Sequence, residues 1–93
     1  MSKFIYQMCT FRMFTSPDPT FSTEYKFDSF FTSRTKAIEE TLEYLKFLKS
    51  EYPGIEVTPC KFEHELGLYS ILALVEDGEK KEYYGFKKHR LNI

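Results

Sequence analysis

The residues in this chain best suited to chemistry are a thiol and an imidazole in the stretch "TPCKFEHELG". Cys60 and His64 are spaced C-x-x-x-H, with Glu63 and Glu65 beside the histidine. A thiol and an imidazole can bind zinc, but a stable site takes four ligands, or three and a water. The other strong ligands are Cys9 and His89, each remote in sequence. A Cys9/Cys60/His64/His89 centre therefore requires distant segments to converge. Nucleophilic catalysis needs a nucleophile, a base and a group that orients the base. The neighbours of Cys60 and His64 supply no such pattern. The four glycines stand singly at 54, 67, 78 and 85, so no glycine-rich phosphate loop exists, and no carboxylate pair stands out from the solvated charges. The chain reads as non-enzymatic, with no catalytic residue, metal or cofactor assigned.

The second candidate is the closing stretch "KKEYYGFKKHRLNI". Residues 80–93 carry five basic side chains against one acidic one, whereas residues 53–79 carry one against six. Alternation along a strand places Tyr83 on one face with Lys81 and Lys87, and Tyr84 and Phe86 on the other, towards a core. Lysines flanking an exposed ring can contact phosphates while the ring stacks a base. This makes Lys80, Lys81, Tyr83, Lys87, Lys88 and Arg90 a candidate nucleic-acid or nucleotide site. "YYGF" resembles the aromatic and glycine pattern of the RNA-recognition motif in part. That fold places two helices around four strands, and a single helix is predicted here. The favoured reading is a hairpin strand whose lysines protect an edge and answer the acidic stretch across a sheet.

The third candidate is the aromatic excess: ten Phe and seven Tyr in 93 residues. A domain this small has little interior to hold so many rings. Tyr6, Phe30, Tyr69 and Tyr83 are the candidates for a patch on a sheet face left open by the helix. Such rings are typical of interface centres; the competing reading is a second small hydrophobic cluster. The expected function is therefore a small protein-interaction module. It would be an accessory or inhibitor protein that occludes a partner through that face or a strand edge, or a homodimer.

These candidates must be held by a short list of elements. Residues 3–14, apolar on both faces, read as a central strand. "TSPDPT" is a turn, and residues 20–31 read as a second strand with Phe21, Tyr25, Phe27 and Phe31 on one face. Ser33 is a helix N-cap. Ile38, Leu42, Leu45 and Leu48, widened by Ala37, Thr41 and Tyr44, form the apolar stripe of a helix ended by Pro53 and Gly54. Strands follow at 55–63, where Pro59 implies an edge or a bulge, at 68–75, and at 80–88 after an Asp-Gly hairpin signal. The expected fold is one α+β domain over residues 1–93. Its order is β-β-α-β-β-β, with one amphipathic helix on a mainly antiparallel five-stranded sheet. Net charge is −1, and no stretch has the length or apolarity of a signal peptide or membrane span. With two free thiols expected, an intracellular, cytoplasmic setting follows.

Overall fold

A computed structural model describes residues 3–14, 20–25 and 27–91. Within them the order is β1 (Lys3–Phe14), β2 (Thr20–Glu24), β3 (Phe30–Phe31), α1 (Arg34–Glu51), β4 (Glu56–Glu63), β5 (Tyr69–Asp77) and β6 (Lys80–Leu91). The strands form one sheet in the order β2-β1-β6-β5-β4, with β3 also on β1, and every pairing is antiparallel. The α+β class and the single helix on an antiparallel sheet are as expected, but the sheet has six strands among the described residues rather than five.

The extra strand arises because the expected strand over 20–31 is broken. Thr10 faces Glu24 and Gln7 faces Phe30. Three steps back along β1 thus correspond to six steps forward along the chain. Three additional residues are looped out, and an odd slip reverses the alternation. Phe21, opposite Met13, therefore points away from the helix, while Phe27 packs against the helix-side core. The expected single face of Phe21, Tyr25, Phe27 and Phe31 does not exist. Gln7 fixes the detour: its buried amide donates to the Phe27 carbonyl at 3.1 Å, and Met8 N–H donates to the Ser29 carbonyl at 3.1 Å.

The helix follows its sequence signals. Ser33 Oγ accepts from Lys36 N–H at 3.3 Å as the N-cap, and Tyr52 N–H closes the last turn on the Leu48 carbonyl. Ala37, Thr41 and Leu45 are buried against the sheet. Lys49 Nζ reaches past the helix end to the carbonyls of Pro53 and Ile55, tying α1 to the start of β4. At the other end, Arg34 pairs with Glu63 at the finish of β4.

Two bulges at one height decide the shape of the sheet. In β5, Ile71 faces Gly85 but Ala73 faces Tyr84, so Leu72 is extra. In β4, Pro59 faces Ala73 and Phe62 faces Ile71, so Cys60 and Lys61 oppose Leu72 alone. The β5 bulge reverses that strand's alternation, whereas β4 keeps its own, with Val57 on the helix side and Cys60 and Phe62 on the other; both bulges sharpen the twist. Tyr69 and Ile71 consequently face away from the helix, while Ala73 and Val75 face it. This is how the apolar run "LYSILALV" serves two cores. Gly85 sits where the bulged strand presses closest. A Cβ there would lie 1.9 Å from the Ser70 carbonyl oxygen and 2.9 Å from Ile71 Cα. At the hairpin, Asp77 pairs Lys80, leaving Gly78 and Glu79 as the turn. Gly78 has φ +64°, so the glycine takes the first central position, as a type II′ turn requires.

Two stability measurements follow. Gly85→Ala drives a methyl into backbone that cannot yield without moving β5, so it should cost more than about 2 kcal/mol and lower the urea midpoint markedly. An unchanged midpoint would contradict the close approach. Thr41 Oγ1 is the buried side-chain polar atom without a hydrogen-bond partner among the described residues. Replacing that hydroxyl by a methyl in Thr41→Val should raise stability by about 1 kcal/mol, read in the same titration.

Candidate functional site

The face opposite the helix is not open. Phe11, Cys9 and Ile71 lie there, and each is at most 1% exposed although no helix covers them. Their cover is aromatic. Phe21 of β2 meets Phe62 of β4 at 5.0 Å between ring centroids, Tyr83 of β6 at 5.3 Å and Tyr69 of β5 at 6.3 Å. Phe62 stacks on Tyr69, which leans on Phe11 and His64. β2 and β4 are the two sides of the sheet, four strand spacings apart, or about 19 Å if the sheet were flat. Rings from both sides can touch only because the sheet curls, and it curls at the bulges beside Gly85.

This places the expected interface residues. Tyr69 and Tyr83 belong to the aromatic cluster and are half-buried. Phe30, opposite Gln7 on the same face, stands at its rim, 53% exposed. Tyr6 is on the other side, edge-on to Phe86 at 5.7 Å near the start of α1. The four do not form one patch.

The basic residues of β6 divide in the same way. By register, Lys81, Tyr83 and Lys87 face away from the helix, and Lys80, Lys88 and Arg90 towards it. Lys80 lies 3.4 Å from Glu82 and Lys81 3.9 Å from Glu76. At the far end Lys87 sits over the Tyr25 ring and Lys88 over the Phe4 ring. The cations are spread over two faces and both ends of a long strand, and make no single stripe.

The thiols and imidazoles are likewise engaged locally. Cys9 is buried in the aromatic-side core, and desolvation pushes its thiol up to about 12. Burial raises the Cys60 thiol too. Neither is poised as a thiolate. His64 Nδ1 accepts from Leu66 N–H at 3.2 Å within the turn, and His89 Nε2 lies 3.0 Å from Gln7 Oε1. Among the described residues no group of three or more His, Cys, Asp and Glu side chains is placed to hold a metal ion. None of the described helices is long and apolar enough to cross a membrane.

A concavity lies on the helix side. α1 crosses the sheet with Leu45 on Ala73, Val75 and Tyr84, and its flank carrying Leu42 stands off β4 and β5. A groove of about 480 Å³ runs there. Leu42, Val57, Pro59 and Leu72 supply its apolar surface, and Glu39, Glu43, Lys46 and Lys49 stand along its helical side. A second recess of about 360 Å³ continues past Ile38 and Leu72 to Arg34 and Lys61. Leu42 departs from the burial that its spacing predicts. Its spacing puts it in the buried stripe, yet it is 44% exposed, because the sheet falls away beneath that flank of the helix. The signal in the sequence is the charged company on that flank, Glu39, Glu43, Lys46 and Lys49, which a buried stripe would not carry.

The two edges of the sheet are poor templates for strand addition. β4 carries Pro59, a bulge and the charges of Glu56, Lys61 and Glu63, while β2 is five residues long and is followed by the detour. These are the features by which natural edges resist pairing.

The buried thiol makes a pH prediction. With the folded Cys9 thiol protonated up to about 12, the unfolded chain loses that proton first, near the ordinary thiol range. Stability is then fully present at neutral pH and falls as pH rises through that window towards about 12. Tyr84, also pushed up to about 12 by burial, adds to the fall at the upper end. Cys9→Ala should reduce the alkaline slope of stability by one proton relative to wild type. An identical slope in the two proteins would show that Cys9 is not buried as described.

No family model matches this chain, and neither a curated protein nor a solved structure matches it.

Proposed function

We propose that this chain is a non-catalytic protein-interaction module that acts by covering a helical segment of a partner, seated in the groove between α1 and β4–β5. The observation that carries this reading is the half-covered helix-side face. A helix with its side chains is about 10–12 Å across, and a sheet five strand positions wide has room for two. One place is filled by α1; the other is the apolar groove with Leu42 as its exposed wall. Helix-in-groove recognition needs these parts: an apolar floor, a charged rim and no demand for backbone pairing. The blunted edges favour it over strand addition, and the self-packed aromatic cluster favours it over the opposite sheet face. An accessory or inhibitory role suits such a module, since covering a partner's amphipathic helix removes that helix from other contacts.

The test is a selection of displayed helical peptides on the folded protein, with counter-selection on Leu42→Lys. Leu42 is exposed, so a lysine there should fold while placing a charge against the floor. Enriched peptides should carry an apolar i, i+3/i+4, i+7 stripe and lose at least about tenfold in affinity for Leu42→Lys, as loss of one buried leucine contact implies. Failure to enrich any peptide, or enrichment of peptides indifferent to that substitution, would refute the groove as the binding surface.

A further inference from the structure

Resting on the groove as the docking surface, we infer the chemistry and direction of the segment that fills it: an amphipathic helix antiparallel to α1, acidic in its first half and basic in its second. The wall of the groove is charged in order. Glu39 and Glu43 stand towards the start of α1, and Lys46 and Lys49 towards its end. The inner two largely cancel, because Lys46 Nζ lies 3.4 Å from Glu43. Glu39 and Lys49 are left as the charges that mark the two ends, ten residues and about 15 Å apart. The Lys49 ammonium is held by the neutral carbonyls of Pro53 and Ile55. That anchorage also fixes the charge in place, at the C-terminal end of α1.

A helix laid antiparallel to α1 brings its own start to Lys46 and Lys49 and its finish to Glu39 and Glu43. Carboxylates in its first turns then meet the lysines, and basic side chains in its last turns meet the glutamates. The same order suits the incoming helix's own dipole, which favours acids at its N-terminus and bases at its C-terminus. A parallel helix with that favoured order would set like charges together along the whole wall. The strand wall adds no opposing order within the main groove, where Val57, Pro59, Leu72 and Ala73 supply it; Lys61 lies beyond, in the recess by Arg34. Between Glu39 and Lys49 the groove accommodates about three turns, or roughly ten residues, of the partner.

The test uses two synthetic peptides of about 14 residues with the same apolar stripe, one acid-first and base-last, the other in the reverse order. Binding is measured by fluorescence anisotropy at low and high salt. The acid-first peptide is also the better helix former by itself, so the decisive readout is how the affinity ratio changes between two proteins. The second protein is Glu39→Lys/Glu43→Lys/Lys46→Glu, which makes the rim positive at both ends and so removes its order, keeps an i,i+3 pair and leaves Lys49 to hold the helix end. Circular dichroism checks that it is folded. Wild type should favour the acid-first peptide about fivefold, as two rim ion pairs imply. The variant should lose that preference, a shift of about fivefold towards the reversed peptide, and 0.5 M salt should erase the difference between the two proteins. A ratio that does not move with the rim charges overturns the inferred order. If display-selected peptides bind in a Leu42-dependent way while neither charged peptide does, the order fails and the groove survives. If both peptides bind regardless of Leu42→Lys, the groove itself fails.

Discussion

The close approach of Ser70 to Gly85 is the constraint on which the rest of the molecule depends. A β-sheet whose central strand carried a side chain there could not bring β5 in at the bulge, because the space is filled by the Ser70 carbonyl. With glycine present, β5 and β4 bulge together and the sheet bends about that point. The bend joins Phe21 and Phe62, from opposite sides of the sheet, in one aromatic cluster. A domain of this size would ordinarily have one core between its helix and its sheet. The curl gives this one a second, made by the sheet folding its own aromatic face inward.

That second core has a functional consequence. It gathers Phe21, Tyr69 and Tyr83 over Phe11 and Ile71, with Phe30 and Phe62 still exposed at that face, while on the helix side Leu42 stays uncovered. The same bulge contributes there, since the extra residue Leu72 lies in both recesses beside α1. Shape on one face and vacancy on the other thus have a common origin. The helix buries Ala37, Thr41 and Leu45, the last against Ala73, Val75 and Tyr84, and is tied at its ends by Arg34 to Glu63 and by Lys49 to the β4 turn. It cannot slide to cover the bare strands without losing those ties.

Much of the fold was legible because its signals are local. The Ser33 cap, the helix stripe and its stop at Pro53-Gly54, the Pro59 bulge and the hairpin at Gly78 each depend on a few adjacent residues. What was not legible depends on pairing between distant ones. The break between β2 and β3 comes with Gln7, two strands' worth of sequence away, taking the Phe27 carbonyl. The phase reversal within "LYSILALV" is invisible to alternation, because every residue there is apolar enough for either face. Tyr69 and Tyr83 read as exposed because nothing local announces that Phe21 and Phe62 will lie over them. In the sequence Gly85 reads only as part of an aromatic motif. Its meaning is steric, and it appears once β5 is alongside. For the site, the spacing of Leu42 pointed to burial; its exposure follows from where the sheet ends beneath the helix, which only the strand order decides.

The most direct test of this account is the contact that the curl creates. In a nuclear Overhauser spectrum of the protein with selectively labelled phenylalanine and tyrosine, the Phe21 ring should show cross-peaks to both Phe62 and Tyr69, since their centroids lie 5.0 and 6.3 Å apart. Such cross-peaks establish that the sheet closes on its own aromatic face. Strong Phe11–Tyr69 cross-peaks, from rings 5.1 Å apart, without any between Phe21 and Phe62 would mean that the strands pair as described but the sheet stays open. The aromatic face, rather than the groove beside α1, would then be the surface offered to a partner.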